Sequence, residues 1–312
     1  MPYGVSETIS VIMPCFNAEA YIEYSVNSIL AQTFEHTEII IIDDGSSDNT
    51  LSIVKKLEEY NSNIKLFTQS RSGPYPARNL GLKHSTGQYI AFLDADDYWE
   101  PYCLEKLYNA LISKNADLSY CGWQNVIENG QNGPKYVPPA YETGDLIDSI
   151  LKSCPWPIHA ALIKRSIVEN VGGFSTRCFS SMDYDFWLRI CAVTRNITLV
   201  PEVLAYYRWH SHGQISSVKW KQVLDSWQVR KDFIEQYPQL SAHIPESRLS
   251  ELIDGFLINQ AYTTFWKGDL VSARELFRAM FFRGIWQLKD AKYVATSLLP
   301  FAAFKLIVSF SQ

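Results

Sequence analysis

The sequence predicts an α/β protein with an open, mostly parallel sheet flanked by helices and a helical extension at the C-terminus. Strand-like and helix-like patterns alternate up to about residue 123, residues 39–42 are four isoleucines, and the pattern is helical from about residue 218. A run of β-branched residues is typical of a strand buried on both faces, as in a parallel sheet. Alternating strands and helices form such sheets through right-handed crossovers.

The elements of the first half follow from local patterns. Short apolar runs predict strands at residues 9–13, 38–42, 63–67, 88–93 and 117–123. Apolar residues near a 3.6-residue period predict helices at residues 19–32, 50–60, 76–85 and 101–114. Asp48 is expected to cap the second helix, and Pro76 suits the first turn of the third. In a sheet of this order, ligands bind outside the carboxyl ends of the strands.

The second half is less regular. Proline-rich loops are predicted for residues 124–160, followed by a strand at 159–164, a helix at 183–192 and short strands at 197–200 and 204–207. Because the composition changes near residue 216, we predict a domain of residues 1–215 and a helical region of residues 216–312.

The composition excludes several classes of protein. The 312 residues are 47% hydrophobic and 20% charged, which excludes a disordered chain, and the net charge of −5 argues against nucleic acid as a partner. Six cysteines form no C-x-x-C pair, which excludes a zinc ribbon or a thioredoxin-like motif. Residues 1–8 contain no Lys or Arg, and the following apolar run ends at Pro14, so we expect no signal peptide and a cytoplasmic location.

Carboxylates follow two of the predicted strands. Asp43 and Asp44 come directly after the second strand, and Asp94, Asp96 and Asp97 follow the fourth. Clustered carboxylates repel one another unless a cation neutralises them, and oxygen ligands suit Mg²⁺ or Mn²⁺. Such an ion is usually held by one or two carboxylates together with substrate phosphates. The sequence thus predicts a divalent metal at this edge, the alternative being that the second cluster only caps the helix that follows it.

Five segments in order resemble motifs of the inverting glycosyltransferases of family 2, which have the GT-A fold. They are residues 9–17 (ISVIMPCFN), 42–48 (IDDGSSD), 77–81 (ARNLG), 92–97 (FLDADD) and 182–189 (MDYDFWLR). The resemblance spans about residues 7–215. It implies metal-dependent transfer of a sugar from a nucleotide diphospho-sugar, with a UDP-sugar favoured. The acceptor it implies is a glycan or lipid-linked hydroxyl in bacterial-type surface polysaccharide synthesis.

The resemblance also implies which residues bind the nucleotide. They are Pro14, Phe16, Asn17, Asp43, Asp44, Arg78 and Asp94. In this reading Pro14 and Phe16 lie beside the base, Asp44 accepts a hydrogen bond from a uracil N–H, and Asp43 shapes the turn. Arg78 helps to position the nucleotide.

The same resemblance assigns the chemistry. Asp96 is the implied metal ligand, with Asp94 nearer the ribose or a metal-bound water, and Asp183 matches the catalytic base. A carboxylate there can take the proton of the acceptor hydroxyl as it attacks, and a single displacement inverts the anomeric centre. In the family a histidine after the last core strand often approaches the metal or the diphosphate. Here His210 is preferred over His212 because it follows the pair Arg208-Trp209, and the alternative is a histidine on a surface loop.

One position departs from the family pattern. The family usually has Glu immediately before the base, and here the residue is Met182. Asp185 is an alternative base if the helix begins later, and Asp183 is also suited to cap that helix. Met182 is the one feature that favours a non-catalytic nucleotide-sugar or glycan-binding subunit. A nucleotidyltransferase is a further alternative, although its glycine-rich, basic phosphate loop is absent.

An acceptor or sugar pocket is expected near Trp156, His159 and Asp185. Trp123, Trp156 and Trp187 are candidates for a platform on which a sugar ring stacks, although Trp187 is expected to pack in the core. His159 beside a predicted strand has the alternative of a structural role.

The C-terminal segment differs in charge from the rest. Residues 271–312 carry six basic and two acidic side chains together with many large apolar residues. Three alternatives follow: contact with the inner face of an anionic membrane, a helical domain packed on itself or on a second copy, or a membrane span over residues 293–310, about 27 Å long as a helix.

Overall fold

The computed structural model describes residues 7–127, 130–178, 180–209 and 219–309. Its centre is one mixed sheet, which confirms the predicted fold class. The strands are β1 (Ile9–Cys15), β2 (Thr37–Asp43), β3 (Ile64–Thr68), β4 (Tyr89–Phe92), β5 (Tyr98–Trp99), β6 (Leu118–Ile127), β7 (Lys135–Tyr136), β8 (Ala161–Lys164) and β9 (Ile197–Trp209). The strand order is β3-β2-β1-β4-β8-β6-β9-β5, with β7 paired to β6.

Helices flank the sheet. They are α1 (Ile22–Leu30), α2 (Thr50–Tyr60), α3 (Pro74–His84), α4 (Cys103–Ser113), α5 (Leu146–Lys152), α6 (Arg165–Val171) and α7 (Met182–Val193). Asn49 occupies the N-cap position of α2. Asp48, which we predicted as the cap, lies one position earlier and accepts the N–H groups of Thr50 and Glu19 at 3.0 and 3.1 Å. The acidic side chain therefore ties the start of α2 to the loop after β1.

The sheet has a parallel half and a mixed half. Strands β3, β2, β1 and β4 are parallel neighbours, so their carboxyl ends meet at one edge, with Cys15 opposite Asp43. Strand β8 then enters antiparallel between β4 and β6. This insertion separates the fourth and fifth predicted strands, which nevertheless run in the same direction.

Strand β9 replaces two predicted short strands. Its register against β6 jumps from Val200 opposite Cys121 to Val203 opposite Gly122, which leaves Pro201 unpaired at a bulge. Proline is tolerated at such a position because no ladder hydrogen bond is required of it. The sequence signal for a break was therefore real, but the strand continues through it.

The C-terminal region is helical, as predicted. It contains α8 (Lys219–Gln236), α9 (Pro238–Ser241), α10 (Glu246–Ser250), α11 (Phe256–Trp266), α12 (Leu270–Arg283), α13 (Ala291–Ser297) and α14 (Phe301–Ser309), with a π-helical turn at Glu251–Gly255. The buried guanidinium of Arg230 on α8 donates to the carbonyls of Leu151 and Lys152 at 2.7 and 3.2 Å. Buried residues of α8, α5 and α7 belong to one core, and a division after residue 215 stays a prediction.

Pro300 interrupts the apolar C-terminal stretch and separates α13 from α14. Proline removes a backbone donor and clashes with the preceding turn, so a continuous helix is broken there. Within the described residues, no helix combines the length and the apolar character that crossing a membrane requires.

Candidate active site

A cavity of about 770 Å³ opens where the carboxyl ends of β1, β2 and β4 meet. This volume lies in the range of pockets that bind small molecules and cofactors. Both halves of the sheet contribute to its lining, which includes Phe16, Asp44, Arg71, Arg78, Asp94, Asp96, Trp123, Asp183 and Trp209. Most of the residues proposed from sequence as nucleotide, metal or base residues therefore face one space.

Two loops at the ends of β1 and β2 are tied together. Asn17 adopts a left-handed backbone with φ of 47°, and its N–H donates to Ser46 Oγ at 3.0 Å. Its side-chain oxygen accepts the N–H of Ser47 at 2.8 Å. Asp43 is buried and accepts the N–H of Ser46 at 3.2 Å, so it shapes the turn without lining the cavity. The pair of loops holds Phe16 at the cavity edge.

Asp44 is fully engaged by protein donors. One carboxylate oxygen accepts Gln69 Nε2 at 2.7 Å and the N–H of Ser72 at 2.8 Å. The other accepts the N–H of Gly73 at 2.8 Å and pairs with Arg71. An ionised carboxylate has about four lone-pair sites, so a uracil N–H reaches Asp44 only by replacing one of these donors. Arg71 is the donor best suited to leave, because its side chain is 49% exposed.

Arg71 also lines the cavity, and it was not among the residues predicted from the sequence. Its guanidinium carbon lies 3.5 Å from the centroid of the Phe16 ring, on a face where a base would stack. The residue lies outside the five motifs, six positions before the A-R-N-x-G segment. The one sequence feature that could have indicated Arg71 is its position as a basic residue shortly after β3. The carboxyl end of β3 lies at the edge of the sheet where ligands are expected.

The centre of the cavity combines two carboxylates and one buried cation. Arg78 on α3 is 4% exposed and pairs with Asp94 at the end of β4. Asp183 on α7 accepts the N–H of Tyr184 at 2.9 Å. Burial raises the pKa of the Asp183 carboxyl, the Arg78 guanidinium opposes that rise, and the Asp94 charge adds to it. A carboxylate in a cavity whose pKa is raised by burial is a candidate for a general base, as the sequence predicts for Asp183.

The A-R-N-x-G segment fixes Arg78 through its neighbours. The Asn79 side chain donates to the carbonyl of Phe174 and accepts its N–H, both at 2.8 Å. A Cβ on Gly81 would lie 2.4 Å from Ile12 Cγ2, so only glycine lets α3 approach β1 this closely. Through these contacts α3 packs against both β1 and the chain that leads to α7. Arg78, which lies on α3, is thereby fixed in position between these two segments.

Three aromatic side chains and one amide line the other side of the cavity: Trp123, Tyr207, Trp209 and Asn125. We refer to these four residues as the aromatic wall. Strands β6 and β9 continue beyond the point where β8 stops pairing, and Asn125 lies opposite Tyr207. Alternate residues of each strand face the cavity. Trp209 is 49% exposed, so its ring surface is open to a ligand. Aromatic rings with a few polar groups are typical of ligand pockets.

Comparisons with known proteins identify the family. The family model described as Glycosyl transferase family 2 matches residues 10–178, more than half of the chain. The chain belongs to glycosyl transferase family 2.

Its relatives include the UDP-Glc:alpha-D-GlcNAc-diphosphoundecaprenol beta-1,3-glucosyltransferase WfgD of Escherichia coli, 35% identical over 73% of this chain and 87% of that protein. The putative teichuronic acid biosynthesis glycosyltransferase TuaG of Bacillus subtilis is 30% identical over 72% of this chain and 87% of that protein. The crystal structure of S. aureus TarS 1-349 in complex with UDP-GlcNAc superposes with a TM-score of 0.69 at 22% identity, covering 96% of this chain and 87% of that chain. This likeness shows the GT-A fold.

In this glycosyltransferase, residues of helix α8 form hydrogen bonds with the residues that lead into α7. Ser180 donates to one carboxylate oxygen of Asp225 through both its N–H and its hydroxyl, each at 2.8 Å. Ser181 adopts a left-handed backbone with φ of 60°, and its hydroxyl lies 2.8 Å from Ser226 Oγ and 3.3 Å from the carbonyl of Gln222. A non-glycine residue in this conformation costs of order 1 kcal/mol and persists when its surroundings hold it.

Two residues predicted to contact the acceptor are buried. Trp156 is 1% exposed and stacks on Tyr120 with ring centroids 4.2 Å apart. His159 is fully buried, with Nδ1 2.9 Å from Asp97 Oδ2, and Arg208 donates its N–H to the other Asp97 oxygen at 2.8 Å. Both nevertheless line the cavity, and direct contact with an acceptor stays a prediction.

Asp185 does not line the cavity, which corrects its prediction as an alternative base or pocket residue. Its carboxylate oxygens pair with Arg177 at 2.7 Å and Arg189 at 2.8 Å. Two positions on an α-helix differ by about 200° in direction, so Asp183 and Asp185 face opposite sides. Trp187 is buried in the core, as expected.

The two acids predicted to hold a divalent ion, Asp94 and Asp96, both border the cavity. Among the residues that the structure describes, no three His, Cys, Asp or Glu side chains are grouped to hold a metal. His210 and His212 lie outside the described residues. Two oxygen ligands suit a Mg²⁺-like or Mn²⁺-like ion that completes its shell with substrate phosphates and water.

Proposed function

We propose that this glycosyltransferase moves a sugar from a UDP-sugar to a hydroxyl of a glycan or lipid-linked acceptor, with inversion at the anomeric carbon. The reaction would serve surface polysaccharide synthesis at the inner face of the cell membrane. The relatives include a UDP-Glc transferase that acts on a diphosphoundecaprenol-linked sugar, which supports the donor and acceptor classes.

The observation that carries the proposal is the shared cavity of the nucleotide loops, the acidic pair and Asp183. The nucleotide base would lie between Phe16 and Asp44. There it would displace the Arg71 guanidinium, which contacts both residues. Its diphosphate would then reach Asp94 and Asp96 at the end of β4. The sugar carbon C1 would face Asp183 across the same space.

Asp183 is proposed as the base. Its carboxylate takes the acceptor hydroxyl proton while the hydroxyl oxygen forms a bond to C1 and the C1–O bond to the diphosphate breaks. The bonding electron pair leaves with the diphosphate, so no covalent enzyme intermediate is required. Positioned general bases of this kind contribute about 10²–10⁴-fold to the rate.

Asp96, with Asp94 beside it, would hold the divalent ion. When bound, the ion neutralises the negative charge that develops on the departing diphosphate. Arg78 holds Asp94 in place and contributes a fixed positive charge to the same region. Because Arg78 is buried, this charge is less screened than a surface cation would be.

The aromatic wall is proposed as the acceptor side. In the sheet order, β4 and β8 separate it from the nucleotide strand β1. Trp209 and Trp123 offer ring faces to a sugar, and the Asn125 amide offers a polar partner. His159 and Trp156 would support this wall from beneath.

The test is release of nucleoside diphosphate from a panel of UDP-, GDP- and dTDP-sugars. It is run with Mn²⁺, with Mg²⁺ and with EDTA, using soluble short-chain α-D-GlcNAc diphosphate lipids as acceptors. We expect metal-dependent release from a UDP-sugar, lost at least about 100-fold in Asp183→Asn and Asp96→Asn. Proton NMR of the product reports whether the anomeric configuration is inverted.

Asp185→Asn is the matched control, since it makes the same change two residues away. It should lower thermal stability through its two arginine partners while the folded protein keeps its turnover. Loss of turnover only in Asp185→Asn would transfer the base role to that residue. Donor binding without release from any donor would indicate a binding subunit.

A further inference from the structure

Residues 281–289 run from the last residues of α12 into a short 3₁₀ helix (Leu288–Asp290), and their large side chains are not buried. Leu288 is 90% exposed and Phe282 is 70% exposed, while Phe281 and Trp286 are each about 40% exposed. Isolated exposed apolar residues are common, but a contiguous group of this kind marks an interaction site. We refer to residues 281–289 as the 281–289 turn.

Hydrogen bonds hold both ends of the turn, so the exposure of its side chains belongs to the fold. Gly284 adopts φ of 69° at the end of α12, and the N–H of Ile285 donates to the Met280 carbonyl at 2.9 Å. At the other end, the buried Asp290 accepts the N–H of Gln287 at 2.8 Å and the hydroxyl of Tyr262 at 2.7 Å. Both ends are fastened to the helical core while the apolar side chains between them project outward.

The charge around the turn is opposite to that of the protein. Residues 271–312 have a net charge of +4 within a chain of net charge −5. Arg283 and Lys289 are exposed within the turn, and Asp290, the acidic residue that follows it in the sequence, is buried. Trp, Phe and Leu flanked by Lys and Arg are typical of segments that lie in the interface of an anionic bilayer.

We propose that the 281–289 turn docks this protein on the surface of an anionic lipid bilayer, with Phe282, Trp286 and Leu288 entering the headgroup region. A second copy of the chain is the less suitable occupant, because two identical basic turns facing each other would repel. The inference rests on the proposed function for its purpose, since a lipid-linked acceptor is found at such a surface.

The test is flotation of the full-length protein with vesicles, in the absence of any sugar nucleotide. Vesicles of phosphatidylglycerol and phosphatidylethanolamine are compared with vesicles of phosphatidylcholine. We expect binding to the anionic vesicles that weakens as salt is raised. Phe282→Ser/Leu288→Ser should lower the partition coefficient at least about tenfold, and Arg283→Glu/Lys289→Glu at least about fivefold.

Tyr60→Ser is the matched control, because Tyr60 is 85% exposed at the end of α2, in the sheet domain. It should bind vesicles as the parent does, and all variants should keep the parent melting temperature. The proposal is overturned if the parent does not float with anionic vesicles or if the Phe282/Leu288 variant floats equally well. It is also overturned if sedimentation equilibrium shows a dimer that the same variant dissociates, without vesicle binding.

Failure of this inference and failure of the proposed function are distinguishable. Turnover of a water-soluble acceptor should be unchanged in the turn variants, because the turn contributes no residue to the cavity lining. A parent that floats through the turn but releases no nucleotide refutes the transferase proposal alone. A parent that transfers sugar but does not float refutes the docking proposal alone.

Discussion

Replacing Asp225 tests whether helix α8 positions α7, the helix that carries the proposed base Asp183. Asp225 lies on α8 and receives both hydrogen bonds of Ser180, two residues before α7 begins. Ser180 is itself buried, so water does not readily replace the lost acceptor in Asp225→Ala. We therefore expect the chain entering α7 to lose its fixed conformation while the nucleotide loops keep theirs.

The magnitude follows from the two contacts. Hydrogen bonds to a charged group contribute about 1.5–3 kcal/mol each, and a buried donor left without a partner costs about 1–3 kcal/mol. If about 2 kcal/mol of this falls on the positioning of α7, the population in the productive conformation drops about 30-fold, since 1.4 kcal/mol corresponds to a factor of ten. We expect kcat to fall between about 10-fold and 100-fold, with the Kd for UDP changed less than about twofold.

The assay measures kcat and KM by nucleoside diphosphate release and the Kd for UDP by calorimetry. Asp225→Asn keeps an acceptor oxygen and should retain most of the parent kcat. Asp254→Ala is the matched control, because Asp254 accepts Trp227 Nε1 of α8 at 2.9 Å without contacting Ser180. The reasoning is refuted if Asp225→Ala keeps the parent kcat, or if Asp254→Ala lowers kcat to the same extent.

Three further predictions concern packing, the acceptor and pH. Gly81→Ala gains about 0.5–1 kcal/mol of helix propensity but places a methyl group too close to Ile12 Cγ2. We therefore expect the free energy of unfolding, measured with denaturant, to fall by about 1–2 kcal/mol in total. Unchanged stability would contradict the close approach of α3 to β1. Trp209→Ala should raise the KM for acceptor at least about fivefold and leave donor affinity unchanged; a rise in donor KM instead would place the aromatic wall on the donor side. Since burial raises the pKa of Asp183 and the base acts when deprotonated, transfer should fall as pH decreases, with a midpoint above the usual value of about 3.9. A pH–rate profile that is flat down to pH 4 would exclude that assignment.

The parallel half of the sheet could be predicted because its signals are local. The isoleucine run of β2 and the apolar period of α2 report burial within a few residues of chain, and the helix spans residues 50–60 as expected. The insertion of β8 could not be predicted in this way. A strand at residues 159–164 is visible in the sequence, but its position between β4 and β6 depends on partners more than 40 residues away.

The site was predictable where motifs carry it and not where tertiary contacts do. Asp94, Asp96 and Asp183 face one cavity because their motifs end a strand or begin a helix at the ligand edge. Two other contacts join segments that are far apart in the sequence and share no sequence motif. They are the ion pair of Asp44 with Arg71 and the hydrogen bond that Ser180 donates to Asp225. In the same way, side-chain type suggested that Trp156 and His159 are open to an acceptor. Packing of Trp156 on Tyr120 and of His159 on Asp97 buries both side chains.

Met182 shows how such packing can account for a departure from the family pattern. Its side chain is fully buried at the start of α7, in the same hydrophobic core as Phe186 and Trp187. A glutamate there would lose its hydration. We therefore expect Met182→Glu to lower the free energy of unfolding by at least about 2 kcal/mol without raising kcat. Met182→Leu, which keeps the volume and the apolar character, is the control and should change stability by less than about 1.5 kcal/mol. A gain in kcat for Met182→Glu would mean that the family glutamate contributes directly to the chemistry and that this chain works without its help.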